Sequence, residues 1–181
     1  MNKVIAIIPA RWASTRLPGK PLADINGKTM IQWVYEAVKK SDVDKVIVAT
    51  DHDDILNEVK RFGGEGIMTS TKHQTGTERV LEAYQHYKDD YEYVINIQGD
   101  EPFTEPNNII KAIDNYINKK DNIVCSTIHH KSRDENIIKL KSRGKLVLDN
   151  NNNIMYCSRN VIPSNKNYDI VPNIDYYIHI G

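Results

Sequence analysis

The chain has 181 residues, of which 40% are hydrophobic and 27% charged, a composition that fits a folded globular protein and excludes a disordered or fibrous one. Lys plus Arg number 24 and Asp plus Glu number 24, so no global field favours nucleic acid or an anionic membrane surface, and neither is expected as a partner. The N-terminal apolar run meets Pro9 too early for a secretory signal and no stretch reaches a membrane span, so a cytoplasmic location is expected.

Residues 3–8 form a continuous apolar, β-branched run, the pattern of a strand buried on both faces of a parallel sheet. Ile31, Val34, Ala37 and Val38 then fall on one face of a helix. Residues 45–50 repeat the strand pattern, Ile55, Leu56, Val59 and Phe62 form a second helical face, and Gly63 is placed to end that helix. A weaker strand follows at 66–69. Thr75-Gly76-Thr77-Glu78 has the Thr-x-x-Glu form of a capping box, and Val80, Leu81, Ala83, Tyr84 and Tyr87 continue the helix it starts. Residues 93–97 and 122–128 are further apolar strands, and between them a helix from near Pro106 carries Ile109, Ile110, Ile113 and Ile117.

This alternation predicts an α/β fold, a Rossmann-like, mostly parallel sheet with flanking helices and ligands beyond the carboxyl ends of its strands. Past about residue 130 the sequence turns polar and Asn-rich. There Leu146-Val147-Leu148 and Ile154-Met155-Tyr156 flank 149–153 and predict a β-hairpin within a small β-rich lobe. Residues 176–181 read as a last strand that stops inside an apolar run, as expected if sequence is missing or a partner covers it. The length fits one domain spanning 1–181. Cys125 and Cys157 make no CxxC pair or metal spacing, and both are expected to be buried structural thiols.

Two loops concentrate chemistry. The first, after the opening strand, reads Pro9-Ala10-Arg11-Trp12-Ala13-Ser14-Thr15-Arg16-Leu17-Pro18-Gly19-Lys20-Pro21-Leu22. Its cations can share a triphosphate's charge, and its small residues let backbone N–H groups approach an anion. The charges alone fit a solvated basic loop equally well; position after a buried first strand favours nucleotide binding. No GxGxxG occurs, and Gly27-Lys28-Thr29 copies only the tail of a Walker A loop, so it reads as a turn and helix start. The second loop, Gln98-Gly99-Asp100-Glu101-Pro102, ends an apolar strand. It is ordinary turn material, but one carboxylate there suffices to start a magnesium site, and Asp100 is the candidate ligand.

With these loops in hand, the chain resembles the 3-deoxy-manno-octulosonate cytidylyltransferases, or CMP-Kdo synthetases, of the nucleotide-diphospho-sugar transferase type. The resemblance runs in order through Ile8 to Leu22, Ala49-Thr50-Asp51, Met68 to Arg79, Asn96 to Pro102, Tyr156-Cys157-Ser158-Arg159 with Ile162-Pro163, and His179-Ile180-Gly181. It implies a transferase that joins CMP from CTP to Kdo with release of pyrophosphate and Mg2+ as cofactor, supplying activated Kdo for lipopolysaccharide. A related acidic sugar (amino-Kdo or a sialic acid) and a non-catalytic nucleotide-binding protein stay open as alternatives.

By the same resemblance Arg11, Lys20 and Asp100 are catalytic, with Asp100 the metal ligand. Ala10, Arg11, Arg16, Lys20, Gln74, Gly76 and Arg79 surround the nucleotide, and Gln98, Arg159 and His179 the sugar. His179 equally fits a structural histidine on an apolar strand. The family continues past the segment matching 179–181, where it brings a second metal-ligating aspartate, so its C-terminal part is expected to be absent here. The family is dimeric, which makes residues 130–175, with their hairpin, the expected dimer-forming subregion of a homodimer.

Overall fold

Strand β1 (Val4–Ala10) is buried along nearly all its length and paired in parallel on both sides, with β4 (Lys45–Thr50) and β6 (Tyr93–Asn96). With β5 (Gly66–Met68) beyond β4, the parallel sheet has the order β5-β4-β1-β6. Period-two alternation sends Ala6, Ile8 and Ala10 to one face and Ile5 and Ile7 to the other, so both faces need cover and the run reads as continuously apolar. The computed structural model describes residues 3–13, 17–119 and 123–180, and the chain divides into two compact units, Met1–Asp114 and Asn115–Gly181.

In the first unit, helices α1 (Met30–Val38), α2 (Asp53–Arg61) and α4 (Pro106–Lys119) bring Ile31, Val34, Val38, Ile55, Val59 and Ile109 to the face holding Ala6 and Ile8. Helix α3 (Gly76–Gln85) covers the opposite face with Val80 and Ala83. Its start is the predicted capping box: Thr75 accepts from the Glu78 N–H, and Glu78 accepts from the Thr75 N–H in return. Gly63 follows α2 at φ 79°, the left-handed conformation that ends the helix. The Gly27-Lys28-Thr29 lookalike is a tight hairpin between β2 (Asp24–Ile25) and β3 (Lys28–Thr29). Asn26 and Gly27 turn it at φ 54° and 86°.

The chain leaves β1 to one side, toward β4 and β5, and returns on the other as β6. The order therefore reverses beside β1, and its carboxyl end borders the crevice where open α/β sheets take ligands.

The second unit is an antiparallel sheet of order β7-β10-β8-β9, made of β7 (Ile128–Ser132), β8 (Lys145–Leu148), β9 (Ile154–Ser158) and β10 (Tyr176–Ile180), with the one-turn helix α5 (Glu135–Ile138). The predicted hairpin is β8–β9, turned by Asp149, whose carboxylate accepts from the backbone N–H groups of Asn151 and Asn153 while Asn152 takes φ 63°. The last predicted strand is interior, paired with both β7 and β8; Gly181 lies outside the described residues. The buried Tyr176 hydroxyl donates to the Pro163 carbonyl and accepts from the Val171 N–H, which ties down the segment before β10. Lys145 is fully buried and spends its three ammonium protons on the carbonyls of Leu140, Arg143 and Arg159 at 2.7, 3.0 and 2.7 Å. Burial pulls its pKa below the ordinary lysine value.

Two expectations are corrected. The strand predicted over 122–128 begins only at Ile128 and joins the antiparallel sheet; residues 123–127 have no ladder partner, Val124 is 94% exposed, and Asn122 lies outside the described residues. A β-branched run without a neighbouring strand does not form a ladder. Both cysteines are exposed rather than buried: Cys125 lies in that irregular stretch and Cys157 on the edge strand β9, where 154–157 are all exposed.

Thr75→Ala should cost about 1 kcal/mol, read as a lower urea midpoint, because it opens the capping box. A pH effect is expected from the second unit. His179 and His129 face each other across β10 and β7, and burial holds both pKa values below the ordinary 6.5, with each further lowered by neighbouring charge. The unfolded chain therefore binds protons that the folded one refuses, and stability present above that value is lost as pH falls through it toward the folded-state values. The urea midpoint should drop between roughly pH 7 and pH 5, and replacing both histidines with asparagine should flatten that slope.

Candidate active site

Three loops of the first unit converge where β1 ends. Gly99, in the turn after β6, lies so close to β1 that a Cβ there would sit 2.6 Å from the Pro9 carbonyl oxygen. Gly76, at the start of α3, faces the Pro9 ring, a Cβ there meeting its Cγ at 3.3 Å. These approaches require glycine at 99 and favour a small residue at 76.

The loop after β1 closes on itself. The Gly19 N–H donates to the Trp12 carbonyl at 3.1 Å, and Gly19, at φ 66°, starts a 3-10 turn (Lys20–Leu22) with Pro21 inside it. That turn aims Lys20 Nζ at Asp100 Oδ2, 2.6 Å away. The side chains are 34% and 53% exposed, so the pair contributes little to stability and stays open to exchange with a ligand. Arg11 is exposed and has no side-chain partner among the described residues, and Arg16 lies outside them.

Of the other predicted residues, Gln74 is exposed, its side-chain amide donating to the Lys72 carbonyl at 3.2 Å. Gln98 is half-buried in the turn beside Asp100. Arg79 is buried: its guanidinium donates to Asp51 Oδ2 at 2.7 Å and to the Thr69 hydroxyl. Arg159 and His179 belong to the second unit, where Arg159 is exposed with its carbonyl held by Lys145, and His179 Nε2 lies 2.8 Å from the Thr127 hydroxyl. The structure thus brings Ala10, Arg11, Lys20, Gly76, Gln98 and Asp100 to one sheet edge.

Three residues went unassigned at the level of sequence. Asp51, directly after β4, accepts the Trp12 N–H at 2.8 Å. His52 stacks on the Trp12 ring at 3.8 Å with 14° between planes and caps α2 by accepting from the Asp54 N–H. Glu82 accepts from the Ser70 N–H and contacts His73; those bonds hold its pKa below the usual carboxylate range, with the Ser70 bond the larger cause. The readable signal for Asp51 was its place at the carboxyl end of a buried strand, the same signal that singled out Asp100.

Magnesium fits Asp100 as a single-carboxylate site. One oxygen faces Lys20, and no group of three or more His, Cys, Asp or Glu side chains able to hold a metal occurs among the described residues. An ion there would take the rest of its ligands from water and a nucleotide's phosphates.

A model describing cytidylyltransferases matches residues 5–181. The 3-deoxy-manno-octulosonate cytidylyltransferase of Fusobacterium nucleatum is 46% identical over 99% of this chain and 71% of its own length. That of Parabacteroides distasonis is 46% identical over 100% and 74%. A solved structure of CMP:2-keto-3-deoxy-manno-octonic acid synthetase complexed with CTP superposes with a TM-score of 0.85 at 36% identity, over 99% of this chain and 72% of that one. The mostly parallel sheet, the loops gathered at the end of β1 and these matches agree: the chain belongs to the cytidylyltransferase family, among the 3-deoxy-manno-octulosonate cytidylyltransferases.

Proposed function

We propose that this chain transfers CMP from CTP to Kdo, releasing pyrophosphate and supplying activated sugar for lipopolysaccharide synthesis. The observation that carries this reading is the Lys20–Asp100 pair at the carboxyl end of β1, where the sheet order reverses, in a chain with close relatives named for that reaction. A sugar hydroxyl attacks the α-phosphate in line, its oxygen bonding to phosphorus as the bond to the pyrophosphate oxygen breaks. Charge shifts onto the leaving group, so the protein's work is positioning and electrostatic stabilisation.

Arg11 and Lys20, one residue outside each end of the Trp12–Gly19 closure, flank the phosphates, with Arg16 from the same loop. The Ala10 backbone and Gly76 let the nucleotide come close to β1. Gln74 presents an amide able to donate and accept along a pyrimidine edge, and Arg79 supports this nucleotide side from beneath. Gln98, Arg159 and His179 serve the sugar's carboxylate and hydroxyls. A magnesium ion held at Asp100 supplies charge neutralisation to the phosphates.

We also propose that the enzyme works in the cytoplasm as a homodimer. No described helix is long and apolar enough to cross a membrane. The edge strand β9 presents Met155 and Tyr156 at 69% and 61% exposure, an apolar surface suited to a second copy.

Purified protein with CTP, Mg2+ and Kdo should release pyrophosphate, and omitting Kdo or substituting another nucleoside triphosphate should abolish release. Release that is independent of Kdo would overturn the reading. Asp100→Ala and Lys20→Ala should each lower kcat by about 10²- to 10³-fold, yet shift stability by less than about 1 kcal/mol, because the pair is exposed. Gly99→Ala should lower kcat/KM by about 10²-fold through displacement of Asp100, since the obstructing atom is backbone.

A further inference from the structure

We propose that Asp51 and Arg79 are positioning residues that set the geometry of the phosphate loop, Arg79 acting through Asp51 and Thr69. This rests on the nucleotide site proposed above but assigns a role to residues beneath it. Both side chains are nearly inaccessible, Arg79 at 3% and Asp51 at 8% exposure. Among the described residues each Asp51 oxygen has one partner: Oδ1 accepts the Trp12 N–H at 2.8 Å and Oδ2 accepts from Arg79 at 2.7 Å. The other arm of the guanidinium donates to the Thr69 hydroxyl, which donates to the Thr50 carbonyl at 2.9 Å. One hydrogen-bonded chain thus joins α3, the end of β5, the end of β4 and the loop after β1.

Trp12 is the point at which this chain grips the loop. Its N–H goes to Asp51, its carbonyl takes the Gly19 N–H, and its ring stacks on the His52 imidazole and lies against Gly19, where a Cβ would meet the indole at 3.3 Å. Arg11 precedes Trp12 and Lys20 follows Gly19. Fixing the Trp12–Gly19 closure therefore fixes the separation of the two cations. A buried ion pair gives weak net stability compared with an apolar pair of similar size, whereas a carboxylate whose second oxygen is locked by arginine offers a backbone N–H an acceptor at one set position.

The test uses a Trp33→Phe background, which leaves Trp12 as the one tryptophan of the two in the chain. Two variants are compared with it: Asp51→Asn, which keeps an acceptor for Trp12 but loses the ionic lock, and Asp51→Leu with Arg79→Met, which removes both buried charges together so that folding is retained. Melting curves establish that each is folded at the assay temperature. The double variant should show red-shifted Trp12 emission, a CTP dissociation constant raised by about tenfold or more, and kcat/KM lowered by about 10²-fold; Asp51→Asn should fall between it and the parent. Parental Trp12 emission with parental CTP affinity and turnover in the folded double variant would overturn the proposal. So would lost CTP affinity with unmoved emission, which would make Arg79 a direct nucleotide contact. Were the parent to show no Kdo-dependent turnover, the functional reading would fail by itself, and Trp12 emission would still decide whether Asp51 holds the loop.

Discussion

Strand β1 is hydrogen-bonded on both edges and covered on both faces, so its carboxyl end is fixed by the packing of the whole sheet. Three loops of the first unit meet at this end. The Gly99 turn abuts the Pro9 carbonyl, Gly76 abuts the Pro9 ring, and the loop carrying Arg11 and Lys20 starts at Ala10. Catalysis that depends on placing charge accurately suits such a frame. The side chains that would meet substrate, Arg11, Lys20, Gln74 and Asp100, stay on the solvent side, and the closely fitted contacts lie below them.

Much of this was legible in the sequence because local rules and the fold agree. The uninterrupted apolar run of β1 signals burial on two faces, the Thr75–Glu78 box marks the start of α3, and Gly63 marks the end of α2. Asp100 could be singled out because it follows a strand, and Lys20 because it shares a loop with other cations. What could not be read are relations between segments distant in the chain. Asp51 and Arg79 lie 28 residues apart, and their pairing depends on the crossover that places α3 beneath the end of β4. Cys125 and Val124 look like strand residues by type, yet no neighbouring strand reaches them. Arg79, a cation in a motif-bearing segment, is expected at the nucleotide, and its burial against Asp51 and Thr69 could not be read from that segment alone.

The second unit holds itself together by other means. Its antiparallel sheet leaves β9 at an open edge, and several fixed points come from polar groups: the Tyr176 hydroxyl between Pro163 and Val171, the Asp149 turn, and the Lys145 ammonium among three carbonyls. One of those carbonyls belongs to Arg159, so a residue proposed to meet the sugar is anchored through its backbone while its guanidinium stays free to turn toward solvent.

That lysine has a chemical consequence of its own. An amine-acylating reagent needs a neutral, accessible nitrogen, and Lys145, the one lysine that is buried among the described residues, presents its nitrogen only to carbonyl oxygens. Its modification must wait for the sheet to open, whereas surface lysines react at once. The rate at which Lys145 acquires an acyl group is therefore a clock for local opening of this unit, readable by peptide mass in a mixture where the rest of the protein is already labelled.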